Sequence, residues 1–323
     1  MGQKLVSIII PNYNKKTYLK KCLISVFKQS YLNIEVIVVD NNSSDGSYEF
    51  LREYNNIKII RNSKNELFAK SLNKGIKVSK GEYILCLNND VILKEDFLEM
   101  LMNNVDNSNE KIGIFTGRIL SYDGKFIDSC GQVLSKSRRP IERGYRKENF
   151  NLYSKKEIIF GACGAACLLK TNMLDEISIY GEYFDEDFGM FFEDLDLNWR
   201  ANSFGWKALY IPNAICFHRR GTTTMHQVKI PFLKNLILPN IPPELQVYFI
   251  RNRYLVLIKN ELLKNVLADL PFIILYEMKI WLYASFFRPK LFHSVLTYWS
   301  YFKRAFVKRR VIKNKVQSKK IFT

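Results

Sequence analysis

The chain has 323 residues, 47% of them hydrophobic and 25% charged, with a formal net charge of +18. At roughly 150 residues per domain this is one large or two ordinary domains, and the apolar fraction excludes a disordered or collagen-like chain. The charge is uneven: residues 250–323 hold 16 Lys+Arg against 3 Asp+Glu, residues 1–249 hold 33 against 28, and the 11 basic residues from Arg288 onward are accompanied by no acid.

Short apolar runs alternate with helical patterns over the first 120 residues. Val6–Ile10, Ile34–Val39, Ile57–Ile60 and Tyr83–Leu87 read as buried strands. Tyr18–Lys28, Ser47–Tyr54, Leu67–Val78 and Phe97–Val105 read as the helices between and after them. Strands alternating with helices predict a mostly parallel sheet covered on both faces, with ligands beyond the carboxyl ends of its strands. Three polar clusters fall at those ends and are expected to share one rim: Pro11–Asn14, Asp40–Ser47 and Asn88–Asp90.

Residues 112–220 are less regular, with the small-residue run GACGAACLLK (161–170) and the acidic, aromatic stretch FFEDLDLNWR (191–200). The prolines at 231, 239, 242 and 243 mark residues 219–245 as loop and linker. Beyond them Leu255, Ile258, Leu262, Val266, Leu270, Ile273, Ile280, Ala284 and Phe287 form a helix stripe, with Pro271 as a kink or boundary. The apolar run at 5–10 is ended by Pro11 and Asn12, too short for a secretory signal, and no run of 18 apolar residues predicts an ordinary spanning helix. Six scattered cysteines without a C-x-x-C pair fit free thiols in a reducing cytosol.

Each candidate constellation has a structural alternative. Asp40 could accept hydrogen bonds from a nucleoside, or with Asn41 and Asn42 merely form a turn, Asp45 capping the helix at Ser47. In LNND (87–90), Asn88 and Asp90 point the same way on an extended segment, which suits a hard cation held largely by a diphosphate, although Asn-Asp turns look alike. Asp196 and Arg200, four apart, should pair on a helix, leaving Glu193 or Asp194 at its start as a general base or as a solvated terminus. His218, after the apolar run 208–217, could complete a metal shell or be structural; His226 and His293 suggest nothing specific.

In this order the strings SIIIPNYN (7–14), VVDNNSSDGS (38–47), LNND, FFEDLDLNWR and HRRGTTT (218–224) resemble the family 2 glycosyltransferases, over roughly residues 5–225. The nearest likeness is to the rhamnosyltransferase-like branch that builds bacterial cell-surface polysaccharides. The resemblance implies the GT-A fold: a Rossmann-like mixed α/β sheet flanked by helices. It implies a catalytic domain at 1–225, with a nucleotide-sugar half (1–110) and an acceptor half (111–225), then a linker (226–245) and a basic helical extension (246–323). Pro11, Tyr13, Asp40 and Asn88 would lie on the donor nucleotide, Asp90 and His218 on a divalent cation (Mg²⁺ or Mn²⁺). Asp194 would be the catalytic base, with Glu193 and Gly164 on the acceptor side. The family's usual aspartate at the first D-x-D position is Asn88 here, and Leu67 stands where such sequences often have glycine.

The implied reaction is inverting transfer of a sugar, rhamnose among the candidates, from a UDP- or dTDP-linked donor to a hydroxyl of a glycan or lipid-linked glycan. The extension, with Trp281, Tyr283, Phe286 and Phe287 followed by the basic run, suits a helix lying in an anionic membrane interface, which implies a cytoplasmic, peripheral enzyme. Lys264, Asp269, Glu277 and Lys279 argue against crossing. A sugar nucleotidyltransferase is the alternative, but Pro-Asn-Tyr-Asn stands where its glycine-rich loop would be; a dinucleotide oxidoreductase fails for want of G-x-G-x-x-G. A nucleic-acid-binding protein is suggested by charge alone, and no nucleic-acid partner is expected.

Overall fold

The computed structural model describes residues 2–105, 111–148, 150–221, 236, 238 and 241–322, without the side chains of 292, 293, 295, 296 and 319–322. His226, the His293 side chain, Thr222–Thr224 and most of the stretch read as a linker lie outside the described residues.

The chain runs β1 (Val6–Asn12), α1 (Lys16–Phe27), β2 (Ile34–Asp40), α2 (Ser47–Leu51), β3 (Ile57–Arg61), α3 (Leu67–Lys77), β4 (Tyr83–Leu87), β5 (Val91–Leu93) and α4 (Phe97–Met102). It continues through β6 (Ile112–Ser121), β7 (Ile127–Ser129), β8 (Gln132–Leu134), β9 (Pro140–Glu142), β10 (Glu157–Ile159), β11 (Ala166–Lys170), α5 (Thr171–Ile177), α6 (Glu193–Ser203) and β12 (Lys207–His218). Among the described residues four helices follow: α7 (Pro243–Asn260), α8 (Leu263–Phe287), α9 (Pro289–Leu296) and α10 (Trp299–Phe322). The first four expected strands and the helices between them stand where the periodicity put them.

The main sheet has the order β10-β12-β6-β11-β4-β1-β2-β3, with β5 beside β12 and β7 beside β6. Its β4-β1-β2-β3 part is parallel, whereas β11 runs antiparallel to both β4 and β6. Alternation along β1 explains the two-sided core. Ile8 and Ile10 join Leu19 and Leu23 of α1 and Phe97 of α4 on one face, while Ile9 joins Ala69 and Leu72 of α3 on the other. This is the mixed sheet of the expected fold, and it brings the ends of β1, β2 and β4 to one edge.

The C-terminal extension differs from its expected form. The apolar stripe is not one helix: α7 ends at Asn260, α8 begins at Leu263, and Pro271 lies inside α8 rather than at a boundary. The stripe's members therefore face different surroundings, Leu255 and Ile280 being buried while Leu270 and Phe287 are exposed. α7 starts at Pro243, within the stretch read as linker. Trp281 and Tyr283, expected to face lipid, turn inward. Tyr283 is buried, and the Trp281 indole N–H donates to the Tyr254 hydroxyl at 2.8 Å.

Much of the basic run is used within the molecule. Lys308 of α10 donates to Asp185 at 2.5 Å and to Asp187 at 3.0 Å, and Arg304 pairs with Asp187 at 2.8 Å. Arg309 donates to the carbonyls of Ile258 and Glu261, satisfying α7's last turn. Lys259 of α7 reaches the same acidic cluster, donating to Asp185 at 2.5 Å and to Asp196 at 2.9 Å. The acid-free tail thus closes onto the acids of 182–196.

The β8–β9 hairpin joins these helices to the sheet. At its tip Arg138 pairs with Glu261 and with Asp269 of α8, and Arg253 of α7 donates to the carbonyls of Ser137 and Arg138.

Candidate active site

The polar clusters at the strand ends do share one rim, held by hydrogen bonds between them. Asn89 donates to the Asn12 side-chain oxygen at 2.8 Å, and Asn12 in turn donates to Asp40 at 3.0 Å. Asp40 also accepts from the Ser43 hydroxyl at 2.6 Å and from the Ser43 N–H at 3.0 Å. Its carboxylate is wholly inaccessible to solvent, so in this conformation it braces the loop after β2 and offers no exposed atom to a ligand. Pro11 is buried in β1 opposite Val39, and Tyr13 stands exposed just beyond. Asp45 joins two helix starts, accepting from the Lys16 N–H of α1 at 2.8 Å and from the Ser47 N–H of α2 at 3.1 Å. Leu67, at the place where glycine is frequent in such sequences, has φ 65°, the left-handed backbone that glycine adopts without cost.

After β4 the backbone turns so that Asp90 meets β12. His218 Nε2 lies 3.3 Å from Asp90 Oδ1, and the Gly221 N–H donates to Asp90 Oδ2 at 3.4 Å. The second imidazole nitrogen, Nδ1, lies 2.9 Å from Asp128 of β7, which also accepts from Arg220 at 2.5 Å. Burial alone would lower the His218 pKa, but Asp128 and Asp90 outweigh it and raise it to about 9. The Asn88 side-chain oxygen is buried without a hydrogen-bond partner, an acceptor left open beside Asp90. With His218 deprotonated, Asp90, His218 and Asn88 supply oxygen and imidazole nitrogen, a donor set that fits a divalent cation whose remaining ligands come from a diphosphate. Among the described residues no group of three or more His, Cys, Asp or Glu gathers into a self-sufficient metal cage.

Asp194 sits on the first turn of α6. Its Oδ2 accepts from the Gly164 N–H at 3.0 Å and from the Gln132 side chain at 2.8 Å, and its Oδ1 from the Leu195 N–H at 2.7 Å. Burial raises its pKa, while these three donors hold it back. The Gln132 amide is itself fixed: it donates to Glu142 at 3.3 Å and accepts from Asn198 at 3.0 Å. Glu142 is pushed by burial to about 7 against the opposing pull of Arg220. The small residues of 161–164 have a steric reason. A methyl group at Gly161 would come within 2.2 Å of the Asn198 side chain, and one at Gly164 would press on Asp194 at 3.2 Å.

Glu193 parts from its neighbour. It is buried, one carboxylate oxygen has no partner, and burial together with the Asp194 charge pushes its pKa well above the ordinary carboxylate range. Only Asp194 of the adjacent pair is held by Gly164 and Gln132. Asp196 and Arg200 pair as expected, at 2.9 Å, but in full burial rather than at a solvated face.

The two halves of the site adjoin through the sheet, for the Asn88 N–H donates to the carbonyl of Ala165, one residue beyond Gly164. Asp194 and Asp128 both act on the ionisation of Glu142, which puts them in one electrostatic neighbourhood. Sequence reasoning missed Asp128, Gln132, Glu142 and Arg220. They lie in short strands and a turn whose composition carries no signal beyond isolated polar residues.

Residues 7–178 match the family model for glycosyl transferase family 2, more than half of the chain, and the protein belongs to that family. Among curated relatives it is 36% identical to Glycosyltransferase GlyG of Streptococcus pneumoniae serotype 4 over 124 residues, covering 37% of this chain and 40% of that one. It is 25% identical to the poly-beta-1,6-N-acetyl-D-glucosamine synthase of Staphylococcus epidermidis over 219 residues, 66% of this chain and 49% of the relative. The chain thus spans about half or less of the length of these relatives.

Among solved structures, GalNAc-T7 with UDP, GalNAc and Mn²⁺ superposes with a TM-score of 0.59 at 15% identity, covering 79% of this chain and 48% of that one. TarS 1–349 of S. aureus in complex with UDP gives 0.53 at 16% identity, covering 88% and 73%. The fold is that of the GT-A glycosyltransferases.

Proposed function

We propose that this enzyme moves a sugar from a UDP- or dTDP-linked donor to a hydroxyl of a glycan or lipid-linked glycan, with inversion at the anomeric carbon. The observation that carries this reading is Asp194: a carboxylate of raised pKa, fixed by Gly164 and Gln132, beside the edge where Asn88, Asp90 and His218 converge. A raised pKa suits a base that takes a proton near neutral pH. Asp194 accepts the acceptor hydroxyl's proton, and the oxygen attacks the anomeric carbon from the side opposite the departing nucleoside diphosphate. The transition state resembles an oxocarbenium ion, as in glycoside hydrolysis.

Asp90 and His218 would hold a divalent cation, Mg²⁺ or Mn²⁺, with the unpartnered Asn88 oxygen beside them. When bound, such an ion neutralises charge accumulating on the leaving diphosphate. Tyr13 is the exposed donor-side residue of the rim, with Pro11 and Asp40 shaping the loop beneath it. Gly164 and Glu193 border the acceptor side, Gly164 as a donor to the base. The rhamnosyl donor, cell-surface polysaccharide acceptors and a peripheral place at the inner face of the cell membrane belong to the same reading. The polysaccharide synthase among the relatives and the UDP bound in two neighbours support its general form.

The test is release of nucleoside diphosphate from a panel of activated sugars by the purified protein with Mg²⁺ or Mn²⁺. Turnover with one donor that disappears in Asp194→Asn supports the reading. No release from any donor, or full turnover in the variant, overturns it.

A further inference from the structure

α8 has two unlike faces. Toward the protein it buries Tyr276, Ile280, Tyr283 and Ala284. Outward it exposes Leu263, Leu267, Ile274, Met278, Leu282 and Phe286, successive members four or seven residues apart and so on one side of a helix. Leu263, Leu267 and Phe286 are 71%, 64% and 78% exposed. At 1.5 Å per residue α8 is about 37 Å long, so this apolar strip is far larger than an ordinary exposed patch on a monomer. By length and composition alone α8 could cross a membrane, but its inward side is committed to the protein. Glu277 pairs with Arg253 at 2.7 Å and accepts from the Tyr254 hydroxyl, and Asp269 pairs with Arg138 at 2.7 Å.

These pairings also decide what covers the strip. Both acids of α8 point inward and are matched by arginines, so none is left on the outward side. The cations stand at its borders: Lys264 at one end, Arg288 and Lys290 at the other, and Lys136 with its ammonium 5.0 Å from the centre of the Phe272 ring. An apolar strip edged by positive charge is complementary to anionic lipid, whose acyl boundary takes the side chains while its headgroups meet the amines.

We propose that the outward face of α8 is a docking surface for an anionic bilayer, the helix lying in the plane of the interface with the catalytic domain above it. The inference deepens the membrane-peripheral part of the reading above by assigning the contact to α8 rather than to the basic helix α10, whose Arg304 and Lys308 are turned to the acids of 182–187. The occupant is lipid. A second copy of this chain offers the same positively bordered strip and would bring like charges together.

The experiment is flotation of the full-length protein with vesicles of phosphatidylcholine alone and of phosphatidylcholine with 30% phosphatidylglycerol. Wild type is expected to float with the anionic vesicles and at least tenfold less with the neutral ones. The double variant Leu267→Glu/Met278→Glu is expected to lose at least tenfold of that binding while keeping the wild-type thermal midpoint, both residues being exposed. Equal flotation of variant and wild type, or no flotation of wild type, overturns the proposal. So does a doubled solution mass that the variant abolishes while wild type ignores vesicles, which gives the strip to a second copy. Nucleoside diphosphate release in detergent-free solution reports separately on the transferase reading, so either can fail alone.

Discussion

His218 presents its two ring nitrogens to two carboxylates, Nδ1 to Asp128 at 2.9 Å and Nε2 to Asp90 at 3.3 Å. A carboxylate behind an imidazole fixes its tautomer and its direction, and losing such a partner costs about 10–100-fold in metal affinity. Asp128→Asn is therefore expected to weaken Mn²⁺ binding by about that factor, read by the free-ion paramagnetic resonance signal of the purified protein. Unchanged Mn²⁺ affinity would remove Asp128 from the site.

Asp194 as base makes two kinetic predictions. Asp194→Asn should lower kcat by about 10²–10⁴-fold with donor binding nearly unchanged. In the wild type kcat should fall as pH drops through the Asp194 pKa, which burial raises, because the proton must be off Asp194 for the reaction. Gln132 donates to the ionised form and so lowers that value. Gln132→Leu should move the acid limb to higher pH, whereas a merely structural loss would scale the whole profile without shifting it.

Burial alone would raise the Asp185 carboxyl, but Lys259 and Lys308 hold it well below the usual range. A depressed carboxyl contributes stability that is fully present above the unfolded pKa of about 3.9 and is lost as pH falls through the lower folded value. The Asp185 contribution to denaturant midpoints, read as the difference between wild type and Asp185→Asn, should stay level from neutrality to about pH 4 and then fall. Lys308→Met leaves Asp185 with Lys259 alone and should cost toward the lower end of about 3–5 kcal/mol.

Gly161→Ala places a methyl group 2.2 Å from the Asn198 amide, which orients Gln132. Because the Asn198 Cβ lies 2.5 Å away as well, Asn198 must shift together with α6, so the variant should lose both kcat and thermal midpoint. A stability loss without a rate effect would separate Asn198 from the base.

The parallel part of the sheet was legible because each strand is a near-continuous apolar run, and a buried strand has no other way to be written. The rim followed from it, since Asn12, Asp40 and Asn89 stand just where such runs end. The helix start left Glu193 and Asp194 both open as bases, and only the family resemblance singled out Asp194. Asp128 and Gln132 could not be named, since each acts on a residue 90 or 62 positions away and neither alters the local pattern. The C-terminal stripe misled for a related reason. Periodicity reports that one side of a helix is apolar, not which neighbour it meets, and beyond the break at 261–262 the stripe itself splits, Ile280 and Ala284 in the core and Leu270 and Phe287 at the surface. The basic run likewise disclosed its charge but not that Asp185 and Asp187 would take up Arg304 and Lys308.

The ribbon formed by residues 132–142 has Asp194 at one end, through Gln132, and α8 at the other, through Arg138. Whatever tilts the outer helix therefore pulls on a lever whose short arm rests against the proposed base. A substitution at the lever's far end thus has a route to Asp194 along one hairpin that bypasses the central sheet.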